Sequence, residues 1–142
     1  MRDFELLERK PTADELIDLR KSVDWGIRVR DAIEKGLNNS LYGVCIIAEG
    51  EVIGTARIVG DDSTCFYIQD VIVKPEYQRM GIGQMILERV MIYIRENACN
   101  GAVVGLMSAK GKEAFYERFG FWKRPNENCG HGMIQFWEKE EN

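Results

Sequence analysis

Val73-Lys74-Pro75-Glu76-Tyr77-Gln78-Arg79-Met80-Gly81-Ile82-Gly83-Gln84 joins the end of one regular element to the start of another. Before it, Cys65 to Val73 is an apolar, β-branched and aromatic run with the composition of a strand. After it, Ile82, Met85, Ile86, Val90, Tyr93 and Ile94 recur at helical spacing, and Glu88, Arg89, Arg95 and Glu96 hold the opposite face. Two glycines in the turn, Gly81 and Gly83, permit positive φ and the close approach of a ligand to the backbone. The first N–H groups of a helix lack intrahelical partners and lie at the positive end of its dipole. A strand-turn-helix of this kind therefore suits an anion such as a pyrophosphate. Two familiar phosphate loops do not fit. A dinucleotide fingerprint would need its third glycine at Ile86, and a Walker A loop would need Lys then Ser or Thr at Gln84 and Met85.

Working outward, Pro11 followed by Thr12-Ala13-Asp14-Glu15 predicts a capping box and a helix carrying Leu16, Leu19 and Val23. A second helix is expected over about Ile27 to Leu37, ending at Gly36 and Asn38-Asn39. Phe4 to Leu7 reads as a first strand. Tyr42 to Ala48 and Glu51 to Val59 read as a hairpin turning at Glu49-Gly50, and Asp61-Asp62-Ser63 makes the next turn. Ala102 to Met107 has the look of a short buried strand, and Lys112 to Phe119 of a short helix closed by Gly120. Phe121-Trp122 and Gly132 to Trp137 are expected to form a final pair of strands. No repeat, linker or low-complexity stretch interrupts the chain, so 1–142 reads as a single α+β domain.

The 142 residues suffice to bury a core, and 45% hydrophobic with 30% charged residues is an ordinary globular balance. A net charge of −4 argues against a general nucleic-acid binder and is compatible with a cationic substrate. The N-terminus has no apolar signal-like run, and no stretch approaches the ~18–20 apolar residues of a membrane span, which points to a cytoplasmic protein with no membrane partner. Cys45, Cys65, Cys99 and Cys129 are scattered, and with the single His131 they lack the spacing of a metal site, so no metal and reduced thiols are expected. Asp70 interrupts an otherwise apolar strand, where an ionised carboxylate is costly unless paired or open to a cleft. It reads as a general base, as a structural acceptor, or as a charge that holds an amine.

Ala114-Phe115-Tyr116-Glu117-Arg118-Phe119-Gly120-Phe121 is the second informative segment. Together with Val73-x-Pro75-x-x-Gln78-x-x-Gly81-x-Gly83 it resembles the GNAT family of N-acetyltransferases, in the expected order and over about Tyr42 to Trp137. The resemblance implies a three-layer α/β/α fold with a mixed, mostly antiparallel sheet that splays between its fourth and fifth strands. It also implies acetyl-coenzyme A as co-substrate. Main-chain groups of Gln78, Arg79, Met80, Gly81, Ile82, Gly83 and Gln84 would wrap the pyrophosphate. The backbone of Val71, Ile72 and Val73 would pair with the pantetheine arm, with the Val71 N–H as candidate oxyanion donor. Tyr116 matches the tyrosine that faces the coenzyme sulfur and protonates the leaving thiolate.

The family builds its acceptor site from the N-terminal helices and a late loop, here Trp25, Arg28 and His131 together with Asp70. A small-molecule primary amine is the expected acceptor, with a protein N-terminus or lysine, or a non-catalytic coenzyme A sensor, as alternatives. A homodimer is common in such proteins. Three departures stand out. Gln69 replaces a glutamate of some relatives and cannot act as a base. Ala109 replaces a frequent asparagine. Gln84 replaces a frequent Lys or Arg.

Overall fold

Thr12 begins the first helix, α1 (Ala13–Ser22), as its side chain predicts. Its hydroxyl accepts from the Glu15 N–H at 3.1 Å, and the Glu15 carboxylate accepts from the Thr12 N–H at 2.8 Å, so two otherwise orphaned donors are satisfied reciprocally. The computed structural model of the chain describes residues 3–139. These fall into two compact units that divide between Met107 and Ser108.

The first unit holds a five-stranded sheet whose strands follow chain order: β1 (Glu5–Leu7), β2 (Tyr42–Ala48), β3 (Glu51–Gly60), β4 (Cys65–Val73) and β5 (Val103–Gly105). The first four pair antiparallel, and β5 pairs parallel to β4. Such a parallel step needs a long crossover, and α3 (Ile82–Asn97) supplies it. On one face of the sheet, Leu16 and Leu19 of α1 and Ile33 and Leu37 of α2 (Arg30–Asn38) bury with Cys45, Val52 and Ile72. Thr55 pairs with Ile72, so its neighbour Gly54 faces the other way. There the side chains of α3 approach closely: a Cβ on Gly54 would lie 3.2 Å from Ile86 Cδ1 and 3.3 Å from Ile82 Cγ2. The result is the three-layer α/β/α arrangement with a mixed, mostly antiparallel sheet.

The β2–β3 hairpin turns at Glu49 and Gly50, both with positive φ (51° and 79°), the hand that matches strand twist. At the β3–β4 corner Asp61 Oδ1 accepts from the N–H groups of Ser63, Thr64 and Cys65 at 2.8–2.9 Å. Two features of β4 position the site. Thr55 pairs with Ile72 and Arg57 with Gln69, so the single residue Ala56 faces Asp70 and Val71. That is a β-bulge, and Asp70 takes it up at φ 56°. Pairing with β5 covers only Cys65 to Tyr67. From Ile68 onward no described strand pairs with that edge of β4, because β5 ends at Gly105.

Several boundaries differ from the sequence reading. The second helix starts at Arg30 rather than Ile27, because the preceding turn is held to α1: the Gly26 carbonyl accepts from Arg20 Nε at 2.8 Å. The strand expected over Ala102 to Met107 keeps only three residues, since its register ends where β4 leaves it. In the second unit α4 spans Glu113–Glu117 and closes at Gly120 with φ 89°. The expected final strands are absent. Among the described residues after α4 the one β-pairing is an isolated bridge between Asn126 and Cys129. Residues 131–139 are exposed, including Met133, Ile134, Phe136 and Trp137. Apolar composition supplies strand propensity, but a strand forms only where a neighbouring edge accepts it. No described helix is long and apolar enough to cross a membrane.

Candidate active site

Successive strand residues ordinarily face opposite sides of a sheet. The bulge in β4 breaks that rule and brings Gln69 and Asp70 to the same cleft, which also takes Arg20, Arg28 and Arg57. The Asp70 carboxylate is almost fully enclosed and accepts from two guanidinium groups. Arg20 Nη1 donates to Oδ1 at 2.5 Å, and Arg57 Nε donates to Oδ2 at 2.8 Å. Arg57 Nη1 also donates to Ser40 Oγ at 3.1 Å. Arg20 is itself fixed by Gly26 and by Trp25, whose ring lies 5.5 Å below the guanidinium carbon. An arginine buried this way needs several acceptors and a flat surface, and this one has both.

The cleft has a volume of about 200 Å³, and Leu16, Ala32, Ile33 and Gly36 complete its walls. Of the residues expected on the acceptor side, Arg28 and Asp70 line it. Trp25 is half-buried against the α1–α2 core and reaches the cleft only through Arg20. The sequence reading passes over Arg20 and Arg57, yet both left a signal. Arg20 stands four residues after Leu16, on the stripe that α1 buries. Arg57 interrupts the apolar run of β3 as Asp70 interrupts that of β4. Two charges breaking two apolar strands are most cheaply accommodated as a pair.

Beyond the bulge, Val71, Ile72 and Val73 carry β4 into the signature turn, with Ile72 in the core and its neighbours half-buried. Gln78 Nε2 donates to the Val73 carbonyl at 2.9 Å and so fastens the turn to the strand it leaves. Arg79 and Gly81 both have positive φ, 65° and 82°, on either side of Met80. Alternating backbone hand of this kind gathers N–H groups into an anion-binding concavity. Gly81 is the N-cap of α3, with no side-chain cap and no acidic residue in the first turn. An added Cβ at Gly81 would meet nothing within 4 Å, so the glycine serves its φ and the space before the helix is open. Ile82 is buried as an anchor, whereas Gln84 turns its side chain along the helix to Glu88 at 3.0 Å. The helix N-terminus is thus left with unmatched donors and no competing carboxylate, which fits a pyrophosphate.

In the second unit Tyr116 is buried on α4, edge-on to Phe115 at 5.1 Å and to Phe121 at 6.2 Å. Burial pushes its phenol up to about 12, so the hydroxyl remains protonated at any ordinary pH. His131 is exposed in the segment after the Asn126–Cys129 bridge.

Residues 8–121 match the model of the acetyltransferase (GNAT) family. The chain is 30% identical over 127 residues to an uncharacterized N-acetyltransferase ycf52-like protein of Prochlorococcus marinus, covering 87% of this chain and 67% of that one. It spans about two thirds of the length of such curated relatives. Among solved structures, a probable acetyltransferase of unknown function from Staphylococcus aureus, SA2161, superposes with a TM-score of 0.85 at 29% identity, covering 94% of this chain and all of that one. A GNAT family protein of Streptococcus pneumoniae, SP0256, superposes with a TM-score of 0.77 at 25% identity, covering 98% of this chain and all of that one.

Proposed function

The chain belongs to the acetyltransferase (GNAT) family, and on that premise we propose that it transfers the acetyl group of acetyl-coenzyme A to a primary amine of a small molecule, by direct attack in a ternary complex. The observation that carries this reading is the succession along β4. A bulge, a strand edge left without a neighbour, and an uncapped helix N-terminus follow one another within residues 70–84. A ligand with amide groups along its length and a pyrophosphate at one end would satisfy all three in order. The family match runs across both compact units, which supports one N-acetyltransferase domain over 1–142.

In this reading the amine lone pair attacks the thioester carbon, and the Val71 N–H takes the developing oxyanion. The carbon–sulfur bond then breaks, the thiolate leaves, and it takes a proton from Tyr116, which burial keeps in the phenol form. The amine proton passes to solvent, and solvent returns a proton to the Tyr116 phenolate, so the two transfers balance. Of the roles open to Asp70, holding Arg20 and Arg57 in place is the one its contacts favour over that of general base, because both oxygens already accept from guanidinium groups. His131 is assigned to the acceptor side on the resemblance alone. A cytoplasmic location and a homodimer belong to the same reading.

Thiol release from acetyl-coenzyme A, measured across a panel of primary amines and a peptide panel with free N-termini and lysines, tests it. Turnover stimulated by small amines is the expected result. Turnover with peptides alone would replace the small-molecule acceptor by a protein. Binding of coenzyme without turnover by any amine would reduce the protein to a coenzyme A sensor.

A further inference from the structure

The cleft beside the β4 bulge is cationic, although the chain as a whole carries −4. Arg20, Arg28 and Arg57 line it against a single carboxylate, Asp70. That carboxylate faces inward, with one oxygen taken by Arg20 and the other by Arg57. An incoming ammonium would find no free carboxylate there and would meet an excess of two positive charges.

The unused hydrogen-bonding capacity points the same way. A guanidinium has five N–H donors and no acceptor. Arg20 spends Nε on Gly26 and Nη1 on Asp70, and Arg57 spends Nε on Asp70 and Nη1 on Ser40. Neither Nη2 donates to the protein, and among the described residues no buried side-chain nitrogen or oxygen lacks a partner. Neither Nη2 is therefore sealed from solvent, and both residues line the cleft. Arg28, exposed at its rim, makes no ion pair or hydrogen bond with another described side chain. Asp70 thus positions two forks and leaves their outer donors presented alongside a third, an arrangement that matches the planar or tetrahedral oxygens of a carboxylate or phosphate.

Resting on the transferase reading above, we infer that the acceptor is an amine that also carries an oxyanion, a carboxylate or a phosphate. The anion docks on Arg28, Arg57 and Arg20, while the amine end extends toward the β4 edge. The net negative charge of the chain, compatible with a cationic substrate when read from composition, does not describe the site. The local field is the opposite of the global one.

The test uses the full chain and matched amines that differ in the anion alone: glycine against glycinamide, and phosphoethanolamine against ethanolamine, with a linear polyamine as the cationic extreme. The two pairs separate a carboxylate from a phosphate. The expected result is a kcat/KM at least about tenfold higher for the anionic member of one pair. Arg28→Glu, at an exposed position on the rim of the cleft, should abolish that preference through KM while leaving the KM for acetyl-coenzyme A unchanged. Equal or better turnover of the neutral and cationic amines, or an unchanged preference in Arg28→Glu, would overturn the inference.

Should no amine in the panel turn over, the transferase reading fails, and the anion site is judged separately. At constant ionic strength inorganic phosphate should raise the Tm of the parent protein more than that of Arg28→Glu. An equal rise in both, which a site at the helix N-terminus would give, or no rise in either, would dismiss the arginine cleft as an anion site.

Discussion

Asp70→Asn isolates the charge that organises the cleft. Asparagine has the same shape and tolerates the left-handed backbone that Asp70 adopts at φ 56°, so the substitution adds little backbone strain. What it removes is the negative charge between two guanidinium groups whose side chains are 9% and 19% exposed, about a carboxylate that is 2% exposed. Breaking a buried pair by deleting one partner costs about 3–5 kcal/mol, because the surviving charge is left without compensation. Here two charges survive, and one amide oxygen replaces two carboxylate oxygens, so about 4 kcal/mol is expected. A chain of 142 residues unfolds with an entropy of about 0.3 kcal/mol/K, so this loss lowers Tm by about 13 °C. Urea unfolding followed by far-UV circular dichroism gives the free energy directly, with the slope showing whether the native state stays compact. A double-mutant cycle with Arg57→Met completes the experiment. Once Asp70 is neutral, removing one of the two stranded cations should cost at least about 2 kcal/mol less than it does in the parent. A loss under about 1 kcal/mol for Asp70→Asn, or simple additivity in the cycle, would refute the view that the three side chains form one coupled unit.

Other substitutions probe the turn, the acid and the corner. Gly81→Ala forces a side chain onto a residue at φ 82°; it should cost about 1–2 kcal/mol and weaken coenzyme A binding by calorimetry, and full retention of affinity would argue against this turn as the pyrophosphate site. Tyr116→Phe should lower kcat by about 10²–10⁴-fold with coenzyme A affinity nearly unchanged. Because burial raises the phenol to about 12, the protonated form is present below that value and lost above it. The kcat of the parent should therefore show no fall assignable to Tyr116 below about pH 11, and a fall near pH 10 that vanishes in Tyr116→Phe would contradict the burial argument. Gly60→Ala would place a Cβ 2.1 Å from the Cys65 carbonyl oxygen, a backbone clash that should cost about 3 kcal/mol or more. Unchanged thermal stability there would mean that the corner is built differently.

Much of this was legible in the chain alone, for reasons that are local. The capping box at Thr12 and Glu15, the turn at Glu49-Gly50 and the glycine before α3 all rest on contacts within a few residues, so residue type and spacing are enough to find them. The two motifs around Gly81 and Tyr116 carried the family for the same reason, being contiguous stretches of sequence. The start of α2 is not legible locally, because a side chain of another helix, Arg20, holds the turn before it. Composition around Phe121 and Gly132 to Trp137 says that these segments favour extension and not whether an edge is there to receive them.

Asp70 marks the division most clearly. Its position inside an apolar strand announced that a carboxylate had to be compensated, but base, structural acceptor and amine anchor were all compatible with that. Only the tertiary structure brought Arg20 and Arg57, 50 and 13 residues away in sequence, onto its two oxygens. Charges add in space rather than along the chain. Composition therefore described an acidic protein, while the fold assembled a cationic cleft within it.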